Sequence, residues 1–118
     1  MKKKYKEGET MPYVFTYSLV PAHKIKKSAE LYLKEMKEAR SATRALAKEI
    51  IPNAVKSTKE GIETISVHDV KEGKLEEFLK TQQKLMVAYH AIEGFKYDIE
   101  VRFKATEALE MIGMKMLE

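Results

Sequence analysis

The chain contains no cysteine and no tryptophan, and only five glycines and three prolines in 118 residues. Without cysteine there is no disulfide framework, no thiolate nucleophile and no cysteine-ligated zinc site, a pattern that agrees with a cytoplasmic protein. Five scattered glycines leave no glycine-rich phosphate loop. No apolar run approaches the ~20 residues of a membrane span, and the opening Met-Lys-Lys-Lys is not followed by the apolar stretch of a secretory signal. No pair of carboxylates has a spacing that argues for glycosidase or metal work, and no serine, histidine and acid assemble into a triad.

The charge needs locating before it is interpreted. The formal net charge is +4, but Lys2, Lys3, Lys4 and Lys6 account for it, leaving 18 basic against 18 acidic residues from position 7 onward. A nucleic-acid binder normally carries a basic stripe on its folded body as well, so a nucleic-acid partner is not favoured and residues 1 to 12 read as a flexible basic tail. Residues 13 to 118 suffice for one domain. Charged residues make up 34% of the chain, a Lys/Glu-rich balance common in proteins from hot environments.

Tyr97 to Lys104 alternates four apolar with four charged side chains without exception, which predicts a strand with one buried and one polar face. Tyr13 to Val20 reads as a second strand, with Tyr13, Phe15, Tyr17 and Leu19 on one face, Thr16 and Ser18 on the other, and Pro21 as its stop. A third strand is expected over Ile62 to Val70, and a short edge strand over Ala54 to Thr58. Between them the period changes. Ile25, Ala29, Tyr32, Met36, Ala39, Thr43, Leu46 and Ile50 are spaced by fours and threes, so a helix of about 40 Å is expected from His23 to Ile51, ended by Pro52-Asn53. A second helix runs to Glu93 with Gly94 as its cap and Phe95 beyond it. A third starts near Thr106, and its Leu109, Met111, Ile112, Met114, Met116 and Leu117 spread round several faces, suiting a subunit contact.

The order predicts an α+β fold: a ferredoxin-like βαββαβ sandwich with an extra C-terminal helix, an antiparallel sheet with helices on one face, and the strands from Tyr13 and Ile62 central. The passage Val70-Lys71-Glu72-Gly73-Lys74-Leu75-Glu76-Glu77-Phe78 resembles the strand-to-helix turn of the dimeric α+β barrel superfamily, which includes antibiotic-biosynthesis monooxygenases and stress-responsive barrel proteins. Val20-Pro21-Ala22-His23-Lys24 is a looser copy, and Val101 to Leu109 is similar to another strand-to-helix passage there. The resemblance implies that the open faces of two sheets meet in a homodimer and that a small molecule sits in the barrel or beneath the helices.

By alternation, the face away from the helices is expected to present Thr16, Ser18, Thr64, Ser66, His68, Asp98, Glu100 and Arg102. His68 and Arg102 are the candidate catalytic pair, His68 because an imidazole titrates near neutrality. Tyr17, Ser18, Ser66, Tyr89 and Glu100 are the candidate ligand contacts, the aromatic residues being otherwise core. No metal is expected, since His68 and Asp69 are adjacent on a strand and point to opposite faces. No cofactor is expected either; His23 reads as solvated and His90 as a surface or core-edge residue. The leading expectation is a small-molecule binding homodimer. The alternatives are a cofactor-independent monooxygenase or isomerase using His68 and Arg102, a nucleic-acid or acidic-partner module using the lysine tail, and a purely structural assembly.

Overall fold

A computed structural model describes residues 11–115. The lysine tail at positions 2 to 6, and Met116 and Leu117 of the apolar C-terminus, lie outside the described residues. The chain is α+β, with four strands in one antiparallel sheet and three helices. In chain order these are β1 (Tyr13–Val20), α1 (Ile25–Leu46), β2 (Ala47–Thr58), β3 (Gly61–Val70), α2 (Leu75–Val87), β4 (Lys96–Arg102) and α3 (Ala105–Met111). The sheet order is β2-β3-β1-β4, with β1 and β3 in the centre as expected.

Helix α1 ends five residues before the expected Ile51, and β2 starts seven residues before the expected Ala54. No loop separates them: Ala47 is already extended and pairs with Val70, while the Leu46 carbonyl accepts the Lys71 N–H at 3.0 Å. Two successive β-branched residues, Ile50 and Ile51, favour the strand. Glu49 then reaches back to Arg40 at 2.9 Å and Arg44 at 3.3 Å, two residues one helical turn apart, and fixes the angle at which the strand leaves the helix. Pro52-Asn53 does not terminate the helix. It lies inside β2, where the register with β3 shifts between Glu49 and Ile51 and again between Ile51 and Ala54. An edge strand tolerates a proline at such an irregularity because no ladder donor is lost.

Register decides which side chains meet the helices. Antiparallel pairing sets Thr16 opposite Ser66 and Val14 opposite His68, so even-numbered residues of β1 and β3 share a face. Between β1 and β4 the partners are Val14 with Val101, Thr16 with Ile99 and Ser18 with Tyr97, so even residues of β1 share that face with odd residues of β4. The expected alternation in β4 holds in only part of the segment: Ile99 packs against both apolar clusters of the core, while Asp98, Glu100 and Arg102 point the other way. Val101 is exposed, and the strand ends at Arg102, leaving Phe103 exposed beyond it. In β1 and β3 the expected faces are exchanged. Thr16, Ser18, Thr64, Ser66 and His68 lie beneath the helices, and Tyr13, Phe15, Tyr17 and Leu19 occupy the open face. A shift of one residue between neighbouring strands is enough to reverse a face.

The helix-facing side is apolar at its two ends and polar in the middle. At one end Val14, Leu46, Ala47, Val70 and Phe78 form a buried cluster, and at the other Val20, Met86, Tyr89 and Ile92 form a second. Tyr89 stacks on Phe95 at 4.6 Å, just past the predicted cap Gly94. Near α3, Glu107 accepts the Lys104 N–H at 3.1 Å and the Met11 N–H at 2.7 Å, while Lys104 pairs with Asp69 at 2.8 Å. Beyond those anchors Met111, Ile112 and Met114 are exposed.

The β2–β3 turn depends on Gly61. Its φ is +142°, and a Cβ there would lie 2.0 Å from the Val20 carbonyl oxygen, a backbone atom of the neighbouring strand. Gly61→Ala is therefore expected to cost about 3 kcal/mol, whereas Gly73→Ala, also at positive φ (+75°) but with nothing within 4 Å, is expected to cost about 1 kcal/mol. Urea unfolding midpoints of the two variants against the parent test this. Equal losses would remove the close approach at Gly61 as the cause.

Candidate functional site

The polar middle of the sheet is the floor of a cavity of ≈300 Å³, roofed by α1 and closed at one side by α2. The roof is the stripe seen in the sequence: Ile25, Ala29, Tyr32, Met36, Ala39 and Thr43 all line it. Two of these six are alanines, so the helix covers the sheet without filling the space beneath. From α2, Phe78, Gln82 and Met86 are buried at successive turns. Phe78 belongs to the first apolar cluster and Met86 to the second, so the polar Gln82 falls over the cavity between them.

The floor is polar yet withdrawn from water, with Thr16, Ser66, His68 and Gln82 each at most 7% exposed. Some of these groups satisfy one another. Gln82 Nε2 donates to Thr16 Oγ1 at 3.1 Å, and the hydroxyls of Ser18 and Thr64 share a hydrogen bond across the β1–β3 pair. Others have no protein partner. His68 Nδ1 and Arg40 Nε are buried without one, and both residues line the cavity. The His68 ring leans on Phe78 at 5.0 Å. Burial holds its imidazole below the ordinary pKa, against the opposing pull of Glu49, its cross-strand partner, so it is neutral at physiological pH.

The other end of the cavity carries a second group of polar residues. Glu35 on α1 lies beside the Tyr89 hydroxyl, and Tyr32, one turn before Glu35, has its own hydroxyl held by Asn53 Nδ2 at 3.0 Å. Burial pushes the Glu35 carboxyl above the usual carboxylate range, the Tyr89 hydroxyl offsets part of that rise, and Glu38 adds to it. The Tyr89 phenol is pushed up by burial and by Glu35.

The structure divides the seven residues singled out in the sequence between the two faces. His68, Ser18, Ser66 and Tyr89 line the cavity together. Arg102, Glu100 and Tyr17 have outward-turned side chains, since Arg102 pairs with Tyr13, Glu100 with Phe15 and Asp98 with Tyr17 in the ladder. Arg102 is engaged there by Glu100 at 2.9 Å and sits over the Phe15 ring at 5.1 Å. His68 and Arg102 consequently cannot act on one molecule in this cavity. Glu35, Tyr32, Arg40 and Gln82 were not among the sequence candidates. Gln82 carried a signal all the same, as a lone polar residue four positions from both Phe78 and Met86.

The same face exchange leaves Phe15, Tyr17, Leu19 and Ile65 partly exposed on the outer face, with Val67 buried among them. A shallow groove of ≈560 Å³ crosses this face beside Ala54, Lys96 and Asp98. His90, expected at the surface or the core edge, is exposed and stacks on Tyr97 at 5.5 Å. Among the described residues no group of three or more His, Asp or Glu is placed to hold a metal ion, and no helix is long and apolar enough to cross a membrane.

Because the folded-state pKa of His68 lies below its unfolded value of about 6.5, protons favour the unfolded chain. The stability contribution is full above that pH and falls as pH drops toward the lowered folded value. The raised carboxyl of Glu35 has the opposite sign and acts nearer its ordinary value of 4.5. Denaturant midpoints at pH 7.5 and 5.5 are expected to fall more for the parent than for His68→Asn, in which Glu35 is unchanged; an equal fall would exclude His68 as the source. No protein family, curated protein or solved structure matches the chain, so the chemistry of the site is read from its geometry.

Proposed function

We propose that this chain is a small-molecule binding protein of the ferredoxin-like βαββαβ type with an added C-terminal helix, related to the dimeric α+β barrel proteins, whose ligand occupies the cavity between sheet and helices. The observation that carries the reading is the polar floor beneath the helices. The space under α1 is a cleft partly open to solvent, so helix and sheet forgo close packing over it. Each buried polar group left without a partner costs ~1–3 kcal/mol. Leucine and valine at the same positions would make a more stable core. A volume near ≈300 Å³, mostly apolar walls and a few convergent polar groups suit a small organic ligand.

Ala39→Leu is the direct test, because it adds apolar volume at the roof without removing a polar group. It is expected to raise stability by about 1 kcal/mol and to abolish the ligand-dependent thermal shifts that the parent shows in a small-molecule library. A parent with no such shifts, or a variant that keeps them all, would overturn the cavity reading. An enzymatic role, of the monooxygenase or isomerase kind, would rest on neutral His68 as base without Arg102.

The open sheet face supports pairing with a second copy. Its centre is apolar, and its rim carries Lys56 and Lys96 close to Glu63 and Asp98, so a two-fold related copy can set opposite signs against each other. Phe15→Glu is expected to shift the sedimentation coefficient from dimer to monomer while the circular dichroism stays unchanged. A parent that is monomeric at all concentrations would exclude the dimer.

A further inference from the structure

We infer that the cavity is made for a protonated amine carrying an apolar body, with Glu35 as the counter-ion and Tyr32 and Tyr89 as its flanking rings. The inference rests on the cavity reading and assigns its ligand class. One guanidinium and two carboxylates line the cavity, those of Arg40, Glu49 and Glu35, together with the neutral imidazole of His68. Arg40 is already paired with Glu49 at 2.9 Å, and Arg44 reinforces that pair from outside. The positive charge at that end is thus neutralised within the protein. Glu35 has no such partner: among the described residues no lysine, arginine or histidine forms an ion pair with it. Its neighbours one turn away on α1 are Leu31, Tyr32, Glu38 and Ala39, none of them a cation.

A half-buried carboxylate facing a cavity without a counter-charge pays a desolvation penalty that a bound cation would offset. The aromatic groups point the same way. Tyr89 lies beside Glu35 in the cavity wall, and Tyr32 is anchored by Asn53, so two electron-rich rings border the place where a cation would rest. The adjoining walls are Val20, Ile62, Leu85, Met86 and Phe95, which suit an alkyl or aryl body. An anionic ligand would meet uncompensated negative charge here.

Three near-isosteric probes separate the possibilities: phenethylamine, 2-phenylethanol and phenylacetate, titrated calorimetrically at pH 7.5. The amine is expected to bind at least tenfold more tightly than the alcohol, with phenylacetate weaker than both. Glu35→Gln, isosteric and half-exposed, is expected to bring the amine to within about twofold of the alcohol. Tyr89→Phe is expected to weaken the amine selectively. If the alcohol or the acetate matches the amine, or if Glu35→Gln leaves the preference intact, the amine assignment is overturned. Binding of the alcohol that Ala39→Leu abolishes would leave the cavity reading standing in that case. Failure of all three probes also overturns the assignment, and the library thermal shifts then decide separately whether the cavity binds anything.

Discussion

The pairing of β1 with β3 holds a row of hydroxyls and an imidazole under two helices, and most other features of the molecule accommodate that row. Thr16 faces Ser66, and Ser18 faces Thr64, directly across the strand pair. Such a row cannot be close-packed against aliphatic helices without stranding polar atoms. The apolar clusters therefore retreat to the two ends of the sheet, joined along β4 through Ile99. The helices are secured at those ends, and α1 bridges the middle on alanines.

This arrangement inverts the usual division of a one-layer sheet, in which the apolar side meets the helices and the polar side meets water. Aromatic residues of β1 lie outside and hydroxyls lie inside. Both departures are costly for an isolated chain, and a molecule in the cavity or a protein surface over the rings would offset them. Arg102 over Phe15 and Lys104 over Tyr13, at 5.1 and 5.2 Å, give the outer rings partial cover from their own chain.

Element type was legible in the sequence where periodicity was strong. The stripe of α1 reappears as the cavity roof, and the alternation of β4 reappears around Ile99 but not at Val101 and Phe103, which are exposed. What could not be read was the offset between strands. β1 alternates aromatic with small or polar residues, and composition alone assigns the aromatics to the core. Only the pairing of Thr16 with Ile99 shows that the even residues turn inward. The helix-to-strand switch at Ala47 was hidden for a related reason, because Leu46 and Ile50 continue the helical spacing while the ladder with β3 outweighs it. His68, Ser18, Ser66 and Tyr89 were found as single residues. Glu35 was not, since a carboxylate among helix-surface charges is indistinguishable from them until the structure shows that it lines the cavity and forms no ion pair among the described residues.

The bulge around Pro52 has a consequence for how copies of this chain can meet. β2 is a twelve-residue edge with Ile50, Ile51 and Val55 exposed along it, the kind of border on which further strands add to build fibrils. A ring nitrogen without hydrogen, placed where the ladder is already offset, leaves no continuous run of free donors for a newcomer to match. Addition of a strand along that border would be interrupted at its midpoint, where the ladder is already offset.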